Sequence, residues 1–219
     1  MSQTPPAPRL PSAQHLPRAT HVLYLHGFRS SPRSMKAQKM ADLMARQHPD
    51  VAFECPQLPP SPRVAMQEVS AQLARWALGP AEQLVVMGSS LGGFYATWVA
   101  ERVPAAAAAR VVLINPAVTP EHDLARHIGE LTSWHNPEER FFFRPEFVGE
   151  LRELHAGPLT QPQRYQVWAA TGDEVLDWRA MQARYQACPG LQVVQGSDHA
   201  LSDFDTHLPT MLAHMGIHT

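Results

Sequence analysis

Residues 88–92 read Gly-Ser-Ser-Leu-Gly, and the chemistry open to such a run depends on which serine sits at its centre. Ser90 does, with a glycine two positions away on each side; centring on Ser89 loses both. A G-x-S-x-G run lifts a serine hydroxyl onto a tight strand-to-helix turn, where larger flanking side chains would strike neighbouring backbone. The apolar stretch Leu84 to Met87 lies before it and the helix-like Phe94 to Glu101 after it, with Gly93 adding room for close approach. The same pentapeptide also occurs as a plain flexible turn. The strand-then-helix setting is what favours a nucleophile elbow.

A serine hydroxyl is a weak nucleophile at neutral pH and needs a base. Among the 12 histidines, His199 is singled out by its place: it follows the apolar run Leu191 to Val194 through Gly196-Ser197-Asp198 and precedes a helical stretch from about Ser202 to Met215. His122, His127, His207, His214 and His218 fall in polar helical or terminal positions, where solvation is expected. The carboxylate that would orient the imidazole belongs after the preceding strand, where Asp173 stands in Thr-Gly-Asp-Glu-Val with Gly172 allowing a sharp turn. Glu174 and Asp177 compete with it, although Asp177 reads more naturally as the N-cap of a helix beginning near Trp178. Asp198, next to His199 in the chain, is badly placed to fold back onto its neighbour's ring. Ser90, Asp173, His199 is the chain order Ser, acid, His of an α/β-hydrolase. The oxyanion of a tetrahedral intermediate needs donors, and the backbone N–H groups of Phe28, in His26-Gly27-Phe28 after the first strand, and of Leu91 are assigned that role. His26 is expected to pin this loop rather than to react.

The elements that must position these groups are legible as alternation. Short apolar runs at Val22 to Leu25, Val51 to Phe53, Leu84 to Met87, Val111 to Ile114, Tyr165 to Ala170 and Leu191 to Val194 lack polar alternation. Strands covered on both faces have that character, so a parallel sheet flanked by helices is predicted. Between them lie helical patterns such as Ala65, Val69, Leu73 and Trp76, or Met40, Leu43 and Met44 within Met35 to Gln47. The fold class is therefore α/β, an α/β-hydrolase of about six mostly parallel strands. Thr119 to Gln163 contains Trp134, Phe141 to Phe143 and Phe147 but no convincing strand, and is expected to be a small lid insertion. Phe141 to Phe143, beside Pro145, read as satellite core under a loop more than as an exposed acyl-binding lip.

The 219 residues suit one domain, and 21 prolines, about twice ordinary usage, argue against a bundle or coiled coil. A net charge of −2 gives no electrostatic case for nucleic acid. Cys55 and Cys188 are expected to be reduced thiols, with no C-x-x-C pair. Residues 1–20 read as a disordered proline-rich tail without the apolar region of a secretory signal, leaving residues 21–219 as the domain. No eighteen apolar residues run uninterrupted, because Arg110 and Asn115 break the best stretch, Val103 to Val118. A cytoplasmic protein with no membrane span follows. His122 and His127 are five apart and no H-E-x-x-H helix exists, so no metal site is expected. No lysine follows Gly88 to Gly93, which disfavours a phosphate loop. No cofactor is expected.

Several blocks taken together resemble a known family. Tyr24-Leu25-His26-Gly27-Phe28 with Ser30-Ser31-Pro32, Pro56-Gln57-Leu58-Pro59-Pro60, Gly88-Ser89-Ser90-Leu91-Gly92-Gly93, Asn115-Pro116-Ala117 and Thr171-Gly172-Asp173-Glu174-Val175-Leu176-Asp177 occur in that order. They are similar to the YqiA-like (UPF0227-type) esterases of the α/β-hydrolase superfamily, from about His21 to the C-terminus. The match is weakest over about Glu121 to Pro162, the segment that would line the acyl pocket. The resemblance implies a cytoplasmic bacterial esterase acting on short acyl esters, with Ser90, Asp173 and His199 as its triad by position in matching blocks. An acyl-CoA thioesterase using the same triad and a catalytically silent binding scaffold are the alternatives. A chain with so small an insertion should keep an open site suited to short acyl groups.

Overall fold

The computed structural model describes residues 16–102, 110–134 and 136–217. In chain order the elements are β1 (His21–Leu25), α1 (Met35–Gln47), β2 (Ala52–Glu54), α2 (Pro62–Trp76), β3 (Leu84–Ser89), α3 (Leu91–Ala100), β4 (Arg110–Ile114) and α4 (Pro120–Ala125). There follow β5 (Gly129–Thr132), β6 (Arg140–Phe143), α5 (Pro145–Glu153), β7 (Tyr165–Ala170), α6 (Trp178–Tyr185), β8 (Gly190–Val194) and α7 (Phe204–His214).

All six apolar runs become strands of one sheet, ordered β2-β1-β3-β4-β7-β8, and every neighbouring pair is parallel. The absence of polar alternation has a direct cause in packing. Successive strand residues point to opposite faces, and both faces of β1, β3, β4 and β7 are covered, while the edge strands β2 and β8 stay partly exposed. Leu23 and Leu25 of β1, Val86 of β3 and Leu113 of β4 join the helices α2, α3 and α5 in one core. Val22, Tyr24, Val85, Met87 and Val112, the residues in between, pack with α1 and α7 in the other. Strand order reverses between β1 and β3, so loops leaving their carboxyl ends diverge there and open a crevice. The Gly27 loop, the elbow and the Asp173 and His199 loops all leave the carboxyl ends of strands.

Thr119 to Gln163 departs from expectation. It holds two strands, β5 and β6, paired antiparallel as a separate ribbon in the register Glu130↔Phe142 and Leu131↔Phe141. β6 holds the Phe141 to Phe143 run, but its partner β5, Gly-Glu-Leu-Thr, has a single apolar residue, so no pair of apolar runs announces the ribbon. The ribbon also separates the three phenylalanines: Phe143 is buried, Phe142 is 56% exposed and Phe141 lies between these extremes. Beyond the ribbon, α5 is fastened to the start of α2 through Glu150, which accepts hydrogen bonds from Ser61 Oγ at 2.7 Å and Arg63 N–H at 3.1 Å.

The amino-terminal boundary is the second departure. Residues 1–15 lie outside the described residues, but residues 16–20, read as tail, belong to the domain. Ala19 is buried and donates its N–H to Met215 C=O at 3.0 Å, and Thr20 N–H donates to Gln83 C=O at 2.9 Å. The Arg110 guanidinium binds Pro17 C=O, and Arg18 pairs with Asp50. Proline-rich composition concealed a strap anchored by main-chain groups and by the Arg18 and Thr20 side chains.

Candidate active site

The elbow is built by backbone before any side chain acts. β3 ends at Ser89 and α3 begins at Leu91, leaving Ser90 between them at φ 56° and ψ −124°, a region that L-residues seldom occupy. Such a conformation costs about 1–3 kcal/mol and must be held by its surroundings. Three backbone hydrogen bonds hold it: Ser90 N–H to Ile114 C=O at 3.0 Å, and Ala117 and Gly93 N–H to Ser90 C=O at 3.0 and 2.9 Å. At about 1 kcal/mol each they are of the size needed to offset the strain. A Cβ on Gly88 would lie 2.2 Å from Gly92 C=O oxygen, and one on Gly92 would lie 1.9 Å from that of Leu25. The helix begins three residues earlier than the poor helix propensity of Gly92-Gly93 suggests, because only glycine lets α3 approach the sheet this closely.

Ser90, Asp173 and His199, distant in sequence, converge. His199 Nε2 lies 3.0 Å from Ser90 Oγ, and His199 Nδ1 lies 2.8 Å from Asp173 Oδ2. The Asp173 side chain is wholly buried, and its other oxygen accepts the N–H groups of Val175 and Leu176, both at 2.8 Å. A carboxylate facing Nδ1 assigns the ring hydrogen to that nitrogen, so Nε2 is the atom able to accept the serine proton.

The competing carboxylates have other partners. Glu174 Oε2 accepts the backbone N–H of His199 at 3.0 Å. Asp177 caps α6 by accepting Arg179 N–H at 2.9 Å. Asp198 accepts both N–H and Oγ–H of Ser202, and the Ser202 hydroxyl holds its carboxyl below the usual range.

The loop after β1 runs against the elbow: a Cβ on Gly27 would sit 3.2 Å from Ser90 Cβ. Phe28 follows it, and Leu91, as first residue of α3, has an N–H without a partner inside the helix. His26 Nε2 accepts Leu58 N–H at 3.1 Å and its Nδ1–H donates to Gly27 C=O at 3.0 Å, tying this loop to the one after β2.

Arg29 is the residue that the sequence reading missed. At φ 58° it sits in a turn closed by Ser30 N–H to Gly27 C=O at 3.2 Å. Its Nε donates to Thr132 C=O at 2.7 Å and its Nη2 to Thr132 Oγ1 at 3.1 Å. Its own C=O accepts Trp134 N–H at 2.8 Å, and its guanidinium stacks 4.1 Å from the Trp134 ring centre. The Phe28 ring meets Phe143 edge-on at 5.2 Å and Phe141 at 6.2 Å. The ribbon is thus bolted to the loop carrying Phe28. No local pattern marks such a contact; only a turn with an arginine at positive φ could have hinted at it.

Between these parts lies a pocket of about 200 Å³. Phe28, Leu58, Leu91 and Phe141 supply apolar wall, while Arg29, Gln57, Glu139 and Arg140 make its rim polar.

Three histidines differ from their expected solvation; the His207 ring, 20% exposed, lies 6.4 Å from the Trp168 ring and its Nε2 lies 3.0 Å from Asp203 Oδ2. His214 donates from Nε2 to Arg164 C=O at 3.0 Å, and burial lowers its pKa. His127 packs against the Phe28 ring at 5.8 Å, where partial burial and then Arg126 and Arg29 lower its pKa. His218 lies outside the described residues.

Comparison with known proteins adds to this geometry. The sequence model of the Uncharacterised protein family (UPF0227) matches residues 21–216. Est1E from Butyrivibrio proteoclasticus, solved with ferulic acid bound, is 12% identical with a TM-score of 0.65, over 94% of this chain and 90% of that one. Alpha/beta hydrolase domain-containing protein 10 from mouse is 19% identical with a TM-score of 0.63, over 88% and 87%. A structure described under two metagenome-derived lipolytic enzymes, LipS and LipT, is 19% identical with a TM-score of 0.63, over 94% and 98%. At these identities the likeness is one of fold, and the fold is that of the α/β-hydrolases.

Proposed function

The chain belongs to the UPF0227 family, and from that premise and the geometry of the crevice we propose that it is a serine esterase hydrolysing short-chain acyl esters. The observation that carries the reading is the relay Asp173–His199–Ser90, at 2.8 and 3.0 Å, ending on a strained elbow. In the proposed cycle Ser90 Oγ attacks the acyl carbonyl while His199 Nε2 takes its proton. Asp173 keeps Nδ1 protonated and stabilises the imidazolium that forms. The N–H groups of Phe28 and Leu91 receive the oxyanion, each such donor being worth about 3 kcal/mol of barrier. Collapse breaks the bond to the leaving oxygen, which takes the proton back from His199, and leaves an acyl-Ser90 ester. Water then attacks that ester with His199 again as base; the bond from the acyl carbon to Ser90 Oγ breaks, Ser90 Oγ takes the proton back from His199, and the carboxylic acid departs. This sequence uses no metal or organic cofactor.

The short-acyl part of the reading rests on size. A pocket of about 200 Å³ lies below the ~300–1,000 Å³ of sites that enclose drug-sized ligands, and Arg29, Gln57, Glu139 and Arg140 make part of its lining polar. Among the described residues no helix is long and apolar enough to cross a membrane. Turnover of p-nitrophenyl butyrate and labelling by a fluorophosphonate probe test the proposal together. Both should vanish in Ser90→Ala, with turnover down by about 10⁴-fold or more and the circular dichroism spectrum preserved. Retained turnover removes Ser90 as nucleophile. A wild-type chain inert to ester and probe alike is a binding scaffold.

A further inference from the structure

At the end of β4 the chain turns through Asn115, wholly buried and at φ 42°. Asparagine is among the few non-glycine residues that tolerate this region. The main chain there is already satisfied, since Asn115 N–H donates to Trp168 C=O at 2.8 Å. The side chain spans three further groups. Its Oδ1 accepts Ala170 N–H at 2.8 Å, and its Nδ2 donates to Asp198 C=O at 2.9 Å and His199 C=O at 3.1 Å. Only the oxygen can face an N–H and only the amino group can face two carbonyls, so the amide has a single workable orientation.

Those contacts lead to two of the reacting groups, and the neighbouring Ile114 leads to the third. Ala170 C=O accepts Asp173 N–H at 3.2 Å, so Asn115 grips the stem of the acid turn. Asp198 and His199 form the base loop. Ile114, one residue before Asn115, is the acceptor for Ser90 N–H at 3.0 Å. Residues 114–115 are therefore the common anchor of nucleophile, acid and base. Glu174 of the acid turn on His199 N–H, Thr171 Oγ1 on Gly196 N–H and the Lys36 ammonium on Ala200 C=O steady the base loop as well, but Asn115 joins both loops to the segment whose Ile114 holds Ser90 N–H.

We propose that Asn115 is the positioning residue of this site, setting the Asp173–His199 and His199–Ser90 distances from beneath without touching substrate. The proposal rests on reading Ser90, Asp173 and His199 as the hydrolytic triad. A displacement of about 1 Å at such a site can cost about 100-fold in rate, which makes a three-way buried anchor consequential.

Asn115→Gly keeps the left-handed backbone and deletes the amide; Asn115→Asp keeps the acceptor but turns a carboxylate oxygen toward two carbonyl oxygens. For both, kcat on p-nitrophenyl butyrate should fall about tenfold or more with KM within about twofold of wild type. The ring-nitrogen NMR shifts of His199, assigned by their loss in His199→Gln, should move in Asn115→Gly toward those of Asp173→Asn. A purely structural amide would lower the thermal midpoint yet leave kcat per folded molecule and the ring shifts at wild-type values, and that result overturns the proposal. If Asn115→Asp does not fold, Asn115→Gly and Asn115→Ser decide alone. The ring shifts need no substrate. A wild type inert to esters would sink the esterase reading, while the shifts would still decide whether Asn115 sets the Asp173–His199 pair.

Discussion

The candidate site has two sides made on opposite principles. On one side, the carboxyl ends of β3, β7 and β8 present Ser90, Asp173 and His199 from a sheet whose central strands are buried on both faces. Position there is set by main-chain hydrogen bonds and by contacts so close that a Cβ on Gly92 would overlap Leu25. On the other side, the β5–β6 ribbon pairs with no strand of the main sheet and leaves Trp134 and Phe142 at 65% and 56% exposure. It is joined to the site by the Arg29 guanidinium, the Trp134 N–H and a cluster of phenylalanine rings. The difference teaches where change is tolerated. On the proposed reading, altering the sheet side moves the reacting groups, whereas the ribbon can vary in shape while its few bolts to the Phe28 loop persist.

The sharpest way to break this comparison is at the sheet wall. Asp173→Asn preserves shape but presents an amide to Nδ1 and favours the wrong ring tautomer, so kcat should drop by about 10⁴-fold with KM nearly unchanged. A loss under about tenfold in steady-state turnover would mean that Glu174 or another carboxylate orients His199.

The ribbon side should respond less. Arg29→Lys keeps the charge but not the fork that reaches both Thr132 C=O and Thr132 Oγ1, and kcat/KM is expected to fall by roughly tenfold. The loss should lie mostly in kcat, because the loop that moves is the one carrying the Phe28 donor. An effect on KM alone would make the ribbon a simple pocket wall.

The smallest effect belongs to stability. Burial, with a lesser push from Arg110, lowers the pKa of His214, against which its bond to Arg164 C=O works. The folded state thus binds a proton less readily than the unfolded state. Stability from this residue is present above the unfolded histidine value of about 6.5 and is lost as pH falls below it. Between pH 7.5 and 5.5 the thermal midpoint should decline more in wild type than in His214→Gln; equal declines would remove His214 as the source.

How much of this was legible follows the range of the determining contacts. The G-x-S-x-G run, the apolar strands and the turns holding Asp173 and His199 are local signals, each confined to a few residues whose types are dictated by their own backbone. The β5–β6 ribbon escaped because Glu130, Thr132 and Arg140 break its apolar pattern, and its partner is only itself. His214 was misread because burial comes from Arg164 and β4, far away in the chain. Arg29 was missed for the same reason, its partners lying about a hundred residues onward.

The sequence by itself determined the α/β order of elements, the elbow and the identity of the acid and base candidates, because periodicity, glycine requirements and strand-end position are properties of short segments. Only the tertiary structure decided that Asn115 ties the acid and base loops together beside the Ile114 that holds the elbow, that Arg29 bolts the ribbon to the loop after β1, and that residues 16–20 are part of the domain. Those are matters of which buried polar groups find one another. A hydrogen bond between segments distant in the chain is chosen by the packing of the whole core, and leaves no periodic trace in either segment.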